Sequence, residues 1–130
     1  MQKNLENILS QLAGEDYCYL TTKGRVSGRP HEIEIWFGTQ NSGIYLLAGN
    51  HSSDWVLNLL KEPNVTVRIG IHVFKGKAAI VQNETEEMNA RYLLAEKYRE
   101  WEGGRTLSEW ARTALAVGIE LSLADGTQSQ

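Results

Sequence analysis

The sequence predicts an α+β fold: six short β-strands rolled into a small closed or partly closed barrel with helices outside it. Three observations carry this. Six apolar or alternating stretches are bounded by Gly, Pro, Asn and Ser; two stretches have apolar residues at helical spacing; and one helix falls between the third and fourth strands, where a barrel with external helices buries it most easily. With 130 residues the chain has room for one core, so a single domain over 1–130 is expected. A site for a large ligand would then lie in an open groove or at a subunit boundary.

Leu5, Ile8, Leu9 and Leu12 stand at helical spacing and Gly14 is a stop, which predicts an N-terminal helix over 1–14. Residues 17–22, 31–38 and 43–48 then read as three successive strands in a meander, the last two joined by the turn-rich Thr39-Gln40-Asn41-Ser42. Ser52 or Ser53 can cap a short helix with Asp54 in its first turn; Trp55, Val56, Leu59 and Leu60 give it an apolar face and Pro63 stops it. Residues 64–70 and 72–81 are the fourth and fifth strands, Val65, Val67 and Ile69 alternating with Thr66 and Arg68. Asn83 and Glu86 form a capping pair for a helix to about Trp101, ended by Gly103-Gly104. Thr106 and Glu109 repeat the pattern before a helical turn around Trp110, residues 114–123 form the sixth strand, and 124–130 a frayed tail.

The connection between the first two strands, Thr21-Thr22-Lys23-Gly24-Arg25-Val26-Ser27-Gly28-Arg29-Pro30, holds more than a turn needs. Two glycines free the backbone, three cations (Lys23, Arg25, Arg29) stand close together, and Thr21, Thr22 and Ser27 add hydroxyls. That inventory suits an anionic group such as a phosphate, and also a solvated basic turn. The net charge of −3 and the scatter of the other basic residues exclude general nucleic-acid binding. The first 14 residues lack the apolar core of a signal peptide and no run is long enough to span a membrane, so a cytoplasmic protein is expected. The single cysteine, Cys18, lies within an apolar strand and reads as a small buried hydrophobe.

Three segments in order resemble the deazaflavin-dependent nitroreductase family of the flavin-binding split β-barrel superfamily. They are Tyr19-Leu-Thr-Thr-Lys-Gly-Arg-Val-Ser-Gly-Arg-Pro, Ile44-Tyr-Leu-Leu-Ala-Gly-Asn, and Trp55-Val-Leu-Asn-Leu-Leu-Lys-Glu-Pro-Asn-Val-Thr-Val, with a weaker return at Ala111-Arg-Thr-Ala-Leu-Ala-Val. The resemblance implies a six-stranded split barrel and an oxidoreductase that uses coenzyme F420, an 8-hydroxy-5-deazaflavin, to pass a hydride to a small-molecule quinone, nitro or enone acceptor. The cofactor brings the reactivity and the protein orients it. By the same resemblance Arg25, Ser27, Gly28 and Arg29 hold the cofactor phosphate, Ala48, Gly49 and Asn50 lie along its ring or linker, and Ser52, Ser53, Asp54 and Trp55 form the adjoining wall. Trp55 equally suits plain core packing. Lys23, Lys61 and Arg68 are candidates to attract the cofactor's anionic tail. A homodimer is expected, because so small a barrel offers one cofactor only a shallow groove.

The chain departs from the family where further basic residues are common in the hairpin: Val26 and His31 stand there. With fewer permanent charges, FMN is the alternative cofactor. The alternatives of other classes are a non-catalytic flavin or tetrapyrrole carrier and a cofactor-free interaction module. His31, Glu32 and Glu34 make a poor metal site, since in a strand His31 points away from both carboxylates; no metal is expected. Glu32, Glu34 and Trp36 share one face, and His31, Ile33, Ile35 and Phe37 are assigned to the barrel interior. Glu32 and Glu34 read as solvated carboxylates, and Ser108 and His72 lack the partners of a nucleophilic site. Tyr92, Tyr98, Trp101 and Trp110 read as core aromatics, which leaves the catalytic residues unassigned.

Overall fold

The computed structural model describes residues 2–124; most of the tail expected at 124–130 lies outside the described residues. Helix α1 (Gln2–Leu12) leads to β1 (Cys18–Lys23) and β2 (Pro30–Ile35), followed by β3 (Gly38–Gln40), β4 (Gly43–Ala48) and α2 (Asp54–Lys61). Next come β5 (Asn64–Ile69), β6 (His72–Ile80) and α3 (Glu84–Tyr98). The short β7 (Trp101–Glu102), β8 (Thr106–Leu107) and α4 (Glu109–Thr113) precede β9 (Leu115–Leu123).

Seven strands form one antiparallel sheet in the order β2-β1-β5-β6-β9-β4-β3, and β7 pairs with β8 separately. Strands β2 and β3 are thus the two edges, yet only Trp36 and Phe37 separate Ile35 from Gly38. Three peptide units span at most about 11 Å, so the sheet must curl until its edges approach without pairing. This is a split barrel, with one more strand in its sheet than the six expected.

The extra strand is a correction to the predicted second strand. Residues 31–38 do not run as one strand in a meander; the ladder breaks at Trp36-Phe37 and the chain changes edge. The physical reason lies on α3. The Phe37 N–H donates to Tyr98 Oη at 3.0 Å, and its carbonyl accepts from Lys97 Nζ at 2.9 Å, so the polar backbone of Phe37 is satisfied by side chains instead of a neighbouring strand. Tyr98 Oη also donates to the Asp16 carbonyl at 2.8 Å, tying in the approach to β1. Trp36 stacks on Tyr98 with ring centroids 4.1 Å apart.

Inside the barrel the alternation is as expected: Cys18 and Leu20, Ile44 and Leu46, Val65, Val67 and Ile69, and Val117 and Ile119 are buried. Leu5 and Leu9 of α1 join the same core. Ile33 and Ile35 pack against it and Phe37 is fully buried, but His31, assigned to the interior, is exposed. It sits at the open end of the β1–β2 hairpin, opposite Thr22, where its ring turns over Gly24.

Helix α3 begins as expected, with the Asn83 side chain accepting from Glu86 N. It ends earlier, at Tyr98, where Arg99 takes a left-handed conformation with φ 58°; Gly103 and Gly104, both at positive φ, make the β7–β8 turn instead. Thr106 lies in β8, and the cap of α4 is Ser108, whose Oγ accepts from Ala111 N at 3.1 Å.

Candidate functional site

The β1–β2 connection is a compact loop closed by backbone bonds from Gly24 N to Arg29 O (2.8 Å) and from Gly28 N to Gly24 O (2.9 Å). Gly28 has φ +77°, the left-handed region that favours glycine. A Cβ on Gly24 would lie 2.7 Å from His31 Nε2 and 2.8 Å from Ser27 Oγ, the ends of two exposed side chains that pack over this glycine and would have to turn aside. Ser27 Oγ accepts from Arg29 N at 3.1 Å, an intraloop bond that leaves the Arg29 guanidinium at the exposed tip.

Arg25 is held differently. Its backbone N and its Nη1 both donate to Asn58 Oδ1, at 3.1 and 2.8 Å, and its Nη2 meets Asp54 Oδ1 at 3.1 Å. Asn58 is 2% exposed and donates from Nδ2 to the equally buried Thr22 Oγ1 at 3.1 Å. A polar side chain from the inner face of α2 therefore fixes both the loop and the direction of its guanidinium. The sequence reading missed Asn58; the signal was one amide within the apolar run Val56-Leu57-Asn58-Leu59-Leu60.

The amino end of α2 is the other half of this region. Ser53 occupies the cap position, but its side chain makes no cap bond, and its Oγ is a buried oxygen without a partner among the described residues. The first-turn amides of a helix also lack intrahelical acceptors. An orphaned hydroxyl, free amides and the Arg25 guanidinium are together the donor set that a phosphate-bearing cofactor requires. Asn50 closes the preceding turn, its Oδ1 accepting from Ser52 N at 2.9 Å and its carbonyl from Ser53 N at 3.1 Å. Trp55 is half-buried and packs on the main core.

The expected residues do not all converge. Ala48, Gly49 and Asn50 run directly into the amino end of α2, and Asp54 is joined to Arg25. Gly28 instead lines a separate groove of about 440 Å³ with Lys23, Thr66 and Lys75. Of the three cations proposed for an anionic tail, Lys23 borders that groove, Lys61 is exposed, and Arg68 is engaged elsewhere: its guanidinium lies 4.2 Å over the Tyr19 ring and 4.0 Å from Glu32. Tyr19 Oη donates to Glu34 at 3.3 Å, so Glu32 and Glu34 belong to a surface network. Among the described residues no cluster of three potential ligands could hold a metal.

Gly49 has a reason of its own to be small, because a Cβ there would stand 3.3 Å from Trp110 Cδ1. Trp110 meets Trp36 edge-on, centroids 5.5 Å apart. These two indoles, with Ile35 and Leu47, wall a cleft of about 530 Å³ that also reaches Tyr17, Glu34 and Glu100. Burial pushes the Tyr98 phenol beneath Trp36 up to about 12, so it stays protonated through the neutral range.

A family model described as F420H(2)-dependent quinone reductase matches residues 1–117. Among solved structures, one described as an F420-H2 dependent reductase is 20% identical, with TM-score 0.63 over 81% of this chain and 94% of its own. One described as a domain-swapped dimer is 22% identical, with TM-score 0.66 over 91% and 95%. A candidate 5-nitroimidazole antibiotic resistance protein from Bacteroides thetaiotaomicron is 16% identical, with TM-score 0.70 over 94% and 80%. No curated protein matches the chain.

Proposed function

Because the chain belongs to the F420H(2)-dependent quinone reductase family, and is thereby an F420-dependent oxidoreductase, we propose that it reduces a quinone, nitro or enone acceptor at the amino end of α2. The observation that carries the placement is the Arg25 guanidinium, anchored on Asn58 and paired with Asp54, the residue after Ser53, whose buried hydroxyl has no partner among the described residues. Arg25 and Arg29 supply guanidinium donors and Ser27 a hydroxyl for the phosphate, and the Ser53 hydroxyl with the first-turn amides of α2 adds the amino end of the helix. Gly28 shapes the loop through its left-handed turn, and the Ser52 amide is already taken by Asn50. Ala48, Gly49 and Asn50 present small side chains and backbone along which a flat ring can lie. Trp55 closes the base from the core side. Asp54 enters this proposal as a partner of Arg25, not as a phosphate ligand, since its carboxylate repels an anion.

When bound, the reduced deazaflavin supplies a hydride, and a proton from solvent completes the two-electron reduction of the acceptor. The protein's share is to orient the ring, to keep water from it with the Trp36 and Trp110 side, and to hold the phosphate. No helix among the described residues is long and apolar enough to cross a membrane, and we place the activity in the cytoplasm. We also propose a homodimer: the two barrel edges remain unpaired, and one similar structure is described as a domain-swapped dimer. The test is oxidation of F420H2 by a water-soluble naphthoquinone, followed by return of the oxidised cofactor's visible absorbance. Protein-dependent turnover supports the proposal; F420 binding without turnover of quinone, nitro or enone acceptors would leave a carrier.

A further inference from the structure

The cleft where the barrel edges meet has a feature that its apolar walls do not explain. Ile35, Trp36, Leu47 and Trp110 form a space suited to a flat aromatic molecule, but two carboxylates, Glu34 and Glu100, stand on its lining. Glu100 is half-buried and held in place, its Oε1 accepting from Ser108 Oγ at 2.8 Å; Ser108 is itself fixed as the cap of α4. Glu34 is exposed and accepts from Tyr19 Oη at 3.3 Å. Among the described residues neither carboxylate forms an ion pair. The cleft also shares a wall with the proposed cofactor position, because Trp110 lies against Gly49.

We infer that this cleft is the acceptor site and that Glu34 and Glu100 make it selective by charge, admitting neutral or cationic aromatic hydride acceptors and disfavouring anionic ones. The inference rests on the reading of the chain as an F420H2-dependent reductase and adds the substrate class. Two like charges at the edge of a low-dielectric cleft repel an anionic group more strongly than the same charges in open water. Their effect must weaken as salt rises, since one carboxylate is solvent-exposed. A neutral quinone can rest on the apolar walls and carries no charge for the two carboxylates to repel; it takes up the hydride and a solvent proton and leaves as the hydroquinone.

Three naphthoquinones with one ring system and one alkyl tether test this, the tether ending in methyl, sulfonate or trimethylammonium so that the reduction potential is unchanged. With the full chain and F420H2, kcat/KM for the sulfonate should be about ten-fold below that for the methyl compound at low salt, and the trimethylammonium compound at or above it. In the double variant Glu34→Gln/Glu100→Gln the three values should agree within about two-fold. Turnover of all three with equal kcat/KM, or a sulfonate penalty that persists in the double variant, overturns the inference and leaves the reductase reading intact. Quenching of tryptophan fluorescence by the oxidised quinones, without cofactor, is the second measurement. Quenching by the neutral and cationic compounds, lost with Trp36→Phe/Trp110→Phe, supports the cleft even if no acceptor turns over, an outcome that would overturn the reductase reading alone. No quenching by any of the three, together with no turnover, overturns the inference.

Discussion

Asn58 Oδ1 accepts two hydrogen bonds from Arg25, one from its backbone at 3.1 Å and one from its guanidinium at 2.8 Å. Its Nδ2 holds the Thr22 hydroxyl, so one amide on α2 fixes the strand end, the loop and the cation together. Asn58→Leu keeps the volume and removes every one of these partners. A buried polar group left without its partner costs about 1–3 kcal/mol, and the expected loss of stability is of that size. F420 affinity should fall about ten-fold in the same variant, because Arg25 is no longer aimed. Urea unfolding and cofactor titration read the two effects; unchanged affinity would show that Arg25 needs no orientation.

Asp54 has the opposite sign. Its side chain is 87% exposed and pairs with Arg25, so the ion pair contributes little to stability but competes with any anion for the guanidinium. Asp54→Asn should tighten F420 binding about two- to five-fold at low ionic strength, with the gain shrinking as salt rises. Stability should change by less than about 1 kcal/mol, the scale of an exposed pair or a first-turn carboxylate. Titration at two salt concentrations checks this, and weaker binding by the variant would restore Asp54 as a direct ligand.

Alkaline pH tests the seam and the core. Burial pushes the Cys18 thiol from 9.0 to about 12 and the Tyr98 phenol from 10.0 to about 12; burial and a hydrogen bond to Glu86 do the same for Tyr45. In each case the native chain keeps a proton that the unfolded chain releases, so stability is present below the unfolded value and falls as pH rises toward 12. Lys97 opposes this: burial lowers it from 10.5, the native chain loses its proton first, and its contribution rises with pH up to that value. The net expectation from these three groups, with Tyr19 raised in the same direction by the charge of Glu34, against Lys97 is a decline beginning near pH 9, the ordinary thiol value. Cys18→Ala should move the onset to about pH 10, where the tyrosines begin. Unfolding free energies between pH 8 and pH 11 decide it; rising stability across that range, or identical onsets, would contradict it.

Much of the fold was legible because local signals matched it. The alternation of Val65, Val67 and Ile69 and the Asn83–Glu86 cap both appear as read. The break at Trp36-Phe37 was not legible, since Ile33, Ile35 and Phe37 keep a perfect strand period; what splits the strand is the satisfaction of Phe37 by Lys97 and Tyr98, some sixty residues away. Gly103-Gly104 looked like a helix stop because a stop and a hairpin turn ask for the same positive φ. At the candidate site the hairpin was conspicuous by its charges. The long-range partners that aim it, Asn58 and Asp54, and the pairing of Trp36 with Trp110 depend on how the barrel closes.

The most direct test of the central claim is titration of the purified chain and of Arg25→Ala with F420 and, separately, with FMN. The account predicts micromolar or tighter F420 binding, FMN weaker by about ten-fold, and a loss of about ten-fold or more in F420 affinity on removing Arg25, the scale of one charge-assisted contact. FMN bound more tightly than F420, or F420 affinity untouched by Arg25→Ala, would contradict it.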